Sequence, residues 1–252
     1  MDRKIILTVL AAALFGFIGI MLLMPSNVDE SVVRLPWKVS HDSQGHTQVF
    51  GFTLGVTSLA DVRKVFGEEG KVNLFAVPGE AGTYSVEAYF DQVYLNHLRA
   101  DFVISLSVPQ DTLAAMYARG LRISQLGSGA KKVTLAPEDT ARLADAPIRA
   151  ITYLPWKHLD ADLIEHRFGK PSRRVPEESG VTHWLYPDRG MDIARDPNGG
   201  VVIQYVNLDM FGDLLKPLHA ASTDTQGNGA SLRTTAANRS EASPTAVRQQ
   251  QR

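Results

Sequence analysis

Hydrolytic chemistry needs a nucleophile beside a base, or two carboxylates facing each other across a cleft. The chain offers Glu165 next to His166, a lone His97, and Asp188 with Asp192 around the hairpin that follows Trp184. None lies in a Gly-x-Ser-x-Gly, His-Glu-x-x-His or phosphate-loop setting, so each reads as a surface side chain and no catalytic residue is assigned. His41 and His46 flank a glycine-containing turn but lack further ligands at fixed spacing, which argues against a metal. Cysteine is absent, so disulfides, thiolate catalysis and a lipid-modified N-terminal cysteine are all excluded. No cofactor is expected.

Aromatic side chains are the stronger signal. Trp156, Trp184 and Tyr186 cluster in the second half of the chain, and protein interfaces enrich Trp and Tyr. These three residues, with exposed sheet edges, are the expected interaction surface; a ligand- or glycan-binding groove lined by them is the alternative. The 26 basic and 27 acidic residues leave a formal net charge of −1, so no strong field favours nucleic acid.

The elements that would carry these residues follow from periodicity. Ser58 with Asp61 three positions on forms a capping-box pattern; Leu59, Val62 and Phe66 make one buried helical face, and Gly67 supplies a left-handed stop. Alternation over Lys71 to Val77, Tyr84 to Phe90 and Leu98 to Val108 predicts three antiparallel strands. A second helix spans Pro109 to Gly120, with a strand from Lys131 to Leu135, a helical turn over Pro137 to Leu143 and a strand from Ile148 to Leu154. Asp160 then caps a helix with Leu163, Ile164 and Phe168 inward and Gly169 at its end. Strands follow at Thr182 to Tyr186, Met191 to Ala194 and Val201 to Val206, the last pair joined by an Asp-Pro-Asn-Gly-Gly hairpin. Superimposing Phe66-Gly67 on Phe168-Gly169 places Val62 on Ile164, which suggests an internal duplication.

Ahead of all this, Ile5 to Met24 is apolar and uncharged. About 20 helical residues span roughly 30 Å, the hydrocarbon thickness of a bilayer. Arg3 and Lys4 before it, and Asp29 and Glu30 after it, predict a single-pass anchor in a bacterial inner membrane with the body in the periplasm. From His219 onward small and polar residues dominate, which predicts a disordered tail. The expected organisation is an α+β protein: anchor 1–27, helix-plus-antiparallel-meander modules 28–130 and 131–218, and tail 219–252.

Gly55-Val-Thr57 before a helix ending Phe66-Gly67, and Phe168-Gly169-Lys-Pro171 followed by Trp184-Leu-Tyr186 and a glycine-turned hairpin, resemble the BamE-type envelope modules. The tandem copy is similar to the β-lactamase-inhibitor-protein arrangement. That resemblance implies helices laid on an antiparallel sheet, a protein-binding role in cell-envelope assembly or maintenance with an envelope protein as partner, and no catalytic residues.

Overall fold

The computed structural model describes residues 34–76 and 82–216. A small three-stranded sheet comes first, with β1 at Ser40–His41, β2 at Thr47–Val49 and β3 at Phe52–Thr53. Then follow α1 (Leu59–Phe66), β4 (Lys71–Ala76), β5 (Tyr84–Leu95) and β6 (Leu98–Leu106), α2 (Gln110–Ala118), β7 (Arg122–Gln125) and β8 (Lys131–Thr134). The remainder is α3 (Pro137–Arg142), β9 (Ile148–Pro155), α4 (Ala161–Phe168), β10 (Arg173–Pro176), β11 (Thr182–Tyr186), β12 (Met191–Arg195) and β13 (Val201–Tyr205).

Both helices marked by caps form as their sequences dictate. The Ser58 hydroxyl accepts from the Asp61 amide at 3.2 Å while Asp61 Oδ2 accepts from the Ser58 amide at 3.3 Å, closing the capping box. Gly67, at φ 70°, ends α1. Asp160 Oδ1 accepts from the Leu163 amide at 2.7 Å to start α4.

The fold class differs from the expected pair of modules. Strands β4 to β13 form one ten-stranded sheet in the order β10-β11-β12-β13-β9-β6-β5-β4-β8-β7. The joint is β9, which pairs antiparallel with β6 on one side and with β13 on the other. Each meander thus loses its inner edge to the same strand, and the division between 130 and 131 falls between the paired strands β7 and β8. The structure is dominated by this sheet, with short helices on it.

The membrane assignment is also corrected. Among the described residues no helix is long and apolar enough to cross a membrane. The nine residues of α2 reach only about 14 Å at 1.5 Å per residue, against the roughly 30 Å of a bilayer core. Ile5 to Met24, on which the anchor reading rests, lies outside the described residues, as does the tail from 219. The transmembrane anchor, the inner-membrane placement and the periplasmic side thus have no structural counterpart among the described residues and are not carried forward.

One sheet face holds the core. Phe90, Phe102, Ile104, Ile151, Tyr153, Ile193, Ile203 and Tyr205 are buried there with Leu59, Val62, Ile164 and Phe168 from the helices. Phe50 sits 5.2 Å from Phe102 and 5.3 Å from Tyr153, centroid to centroid, and Phe66 lies 4.8 Å from Phe102. Burying one such ring contributes about 2–3 kcal/mol from apolar area alone. The small sheet is pinned to the far end of the chain: Thr47 Oγ1 donates to the Val206 carbonyl at 2.8 Å, and Tyr205 Oη to the Pro36 carbonyl at 2.7 Å. On the opposite sheet face Leu185 and Val206 are covered by Met210, Phe211, Leu214 and Leu215, from a 3-10 turn at Leu208–Met210 and the helical residues 211–216.

Candidate interaction surface

Alternation decides which aromatic residues reach the surface. Trp184 and Tyr186 are buried on the helix side of β11, and the Tyr186 hydroxyl donates to the Gly169 carbonyl at 2.9 Å. Trp156, which follows the last residue of β9, keeps 45% of its area exposed. The structure therefore separates the three aromatics and leaves only Trp156 to meet another molecule.

Around Trp156 the ends of β5, β6 and β9 assemble a patch. Tyr94 and Arg99 are cross-strand partners in the β5–β6 ladder, and the Trp156 amide donates to the Arg99 carbonyl at 3.1 Å. The three side chains thus stand in a row on the face opposite the helices. The Arg99 guanidinium lies 3.6 Å from the Trp156 ring centroid and 5.5 Å from that of Tyr94, which is 65% exposed. Cation–π contacts of this kind contribute about 0.5–2 kcal/mol, and here they hold the guanidinium over the indole. Its Nη2 also donates to Gln92 Oε1.

Beneath the row lies Asp101, 5% exposed. Its Oδ1 accepts from the Trp156 indole N–H at 2.7 Å and from the Gln92 amide at 2.9 Å, and its Oδ2 accepts from the Tyr89 hydroxyl at 3.1 Å. A buried carboxylate is tolerable only when donors satisfy it. A β-bulge between Phe90 and Val93 supplies one of those donors by holding Gln92 at φ 59° and turning its N–H inward. The tight connection to β6 uses positive φ at both Asn96 and His97, which accounts for His97 as a turn residue.

The other residues weighed for chemistry do not converge. Glu165 pairs with Arg174, and His166 stands apart from it on α4. His46 Nδ1 is 2.8 Å from Asp42 Oδ2, with His41 in β1 taking no part. Asp188 lies in a 3-10 turn and Asp192 in β12, apart from each other. Asp192 instead meets His183, a residue that sequence patterning passes over. His183 Nδ1 lies 2.6 Å from Asp192 Oδ2 and Nε2 lies 3.2 Å from Glu177 Oε1, the latter an ion pair without hydrogen-bond alignment. Burial opposes a charged ring, but Asp192 and then Glu177 outweigh it and hold His183 above its ordinary value. Burial likewise lifts the Asp192 carboxyl against the pull of His183. The two carboxylates approach opposite nitrogens of one imidazole and share its charge. Among the described residues no group of three His, Cys, Asp or Glu side chains could hold a metal. At 3% and 2% exposure, His183 and Asp192 form a buried structural clamp.

Asp101, Arg99 and Tyr94 went unnoticed in the sequence. The available signal was Asp101 itself, a charge inside the apolar run Ala100-Asp-Phe102-Val-Ile104. Comparison with known protein families, curated proteins and solved structures finds no match to this chain.

Proposed function

We propose that the chain is a non-catalytic binding module whose partner is another protein, engaged through Tyr94, Arg99 and Trp156. The observation that carries this reading is the locking of a half-exposed tryptophan by a buried carboxylate, Asp101, with an arginine stacked on it. Trp, Tyr and Arg are the residues that dominate binding energy at interfaces. Holding them in place before contact lowers the ordering entropy that association must overcome. Arg99 forms no ion pair among the described residues, so its charge is available to an acceptor on the partner. The short-motif resemblance to envelope-assembly modules supports a protein of that kind as the partner.

The test is site-specific photo-crosslinking in the native host, with a photoreactive residue at position 94 and, as control, at exposed Glu178. A defined protein adduct at 94 and not at 178 supports the proposal. Adducts of equal yield at both positions, or none at 94, contradict it.

A further inference from the structure

The ten-stranded sheet ends in β10 on one side and β7 on the other, and the two edges are built differently. An edge strand offers unpaired backbone N–H and C=O groups to any passing strand, so folded proteins protect such edges with charge, proline or cover. The β10 edge is protected. Pro176 removes one donor, and Arg174 pairs with Glu165 and lies over the Trp184 ring at 4.1 Å. The β7 edge carries the charge of Arg122 but neither proline nor, among the described residues, a covering element. Among the described residues no strand pairs with its outer side, and it displays Ile123 at 51% and neighbouring Leu121 at 66% exposure.

The two sides of β7 differ in character. Ile123 pairs with Val133, which is fully buried, so Ile123 extends the core face outward past the last covered strand. Arg122 pairs with Thr134 and Ser124 with Lys132 on the other side, where Arg122 is exposed and Lys132 half-buried. Lys131 is exposed beside Gln125, on the same side as Ile123. None of these cations forms an ion pair among the described residues.

We propose that β7 is a strand-addition site for an extended segment of a partner protein in which apolar and acidic residues alternate. Backbone hydrogen bonds to β7 supply affinity that does not depend on sequence. Specificity comes from the period of two: apolar side chains of the incoming strand fall against Ile123 and Leu121, and its carboxylates fall beside Arg122 and Ser124, with Lys132 one strand further in. This surface is separate from the Trp156 patch, and neither depends on the other.

The probe is an acetylated peptide of about eight residues, a typical strand length, alternating valine and glutamate and titrated onto the full-length chain by fluorescence anisotropy. Binding should slow exchange of the outward-facing amides of Ile123 and Gln125, which alternate with those bonded to β8. Ile123→Lys should weaken it about tenfold, and Arg122→Glu should weaken it similarly while favouring a valine–lysine peptide. Both positions are exposed, and amide exchange in the unaltered chain reads the site even if a variant misfolds. Unchanged exchange at Ile123 and Gln125, or equal affinity for both peptides, overturns the proposal. So does protection of the outward-facing amides of Ile123 and Gln125 in the free chain, which would assign the edge to a second copy or to another segment of the same chain.

Discussion

The indole N–H of Trp156 donates to Oδ1 of Asp101 at 2.7 Å across 55 residues of sequence, so an exposed ring is fixed in place by a buried charge. Asp101→Ala should remove the acceptor for the Trp156 indole, the Gln92 amide and the Tyr89 hydroxyl together. With charged hydrogen bonds contributing about 1.5–3 kcal/mol each and acting non-additively, a net loss of about 2–4 kcal/mol is expected in chemical denaturation. Trp156→Phe keeps the ring and loses the donor. It should cost the fold about 1 kcal/mol and raise the near-ultraviolet mobility of the patch.

Glu87 gives the protein a pH dependence. It lies in β5 between Asn73 and Ser105, and burial pushes its carboxyl from 4.5 up to about 7. The native state therefore holds a proton that the unfolded chain releases. That contribution is complete below about 4.5 and is lost as pH rises through about 7. His183 and Asp192, both also raised, act in the same direction. Stability should fall between pH 5 and 8, by an amount on the order of 2 kcal/mol for Glu87 alone. Glu87→Gln should flatten that slope in urea titrations run at each pH; an unchanged slope would locate the linkage elsewhere.

The clamp on His183 should behave as a buried ion cluster. His183→Ala leaves Asp192 and Glu177 facing each other without a cation, which should cost about 3–5 kcal/mol at pH 7. Part of that loss should return at pH 5, where the freed carboxyls take up protons. Replacing His183 and Asp192 together by leucine should be milder than His183→Ala, because one carboxyl, Glu177, loses its cation instead of two.

Gly190 is fixed by close approach. A Cβ there would stand 2.2 Å from the Val206 carbonyl oxygen, at φ 58°. Gly190→Ala must move either β13 or the turn before β12, and a loss of about 1–3 kcal/mol is expected in thermal unfolding.

Local structure was legible in the sequence wherever it depended on neighbours along the chain. Ser58 with Asp61, Asp160, and the alternation in β5, β6 and β11 to β13 all read directly, because caps and strand periods are short-range. The continuous sheet was not legible. Nothing local in Ile148–Pro155 says that β9 will pair on both sides, since that choice is made by long-range packing of Ile151 and Tyr153 against the core. The site was half legible for a similar reason. Trp156, Trp184 and Tyr186 stood out by residue type, but exposure depends on which face of the sheet α4 covers, and it covers that of Trp184 and Tyr186. Leu-Pro-Trp-Lys occurs twice, from Leu35 and from Leu154, with different outcomes: Trp37 packs edge-on to Phe168 at 6.1 Å, while Trp156 stays at the surface.

The most direct test of the binding-module account is the affinity of the photo-crosslinked partner for purified chain carrying Tyr94→Ala or Trp156→Ala, read with the melting temperature of each variant. The account predicts that both weaken binding at least about tenfold, the threshold of a significant interface residue, with Tyr94→Ala melting as the unaltered protein does. Undiminished affinity in both variants would contradict it and move the binding surface away from Trp156.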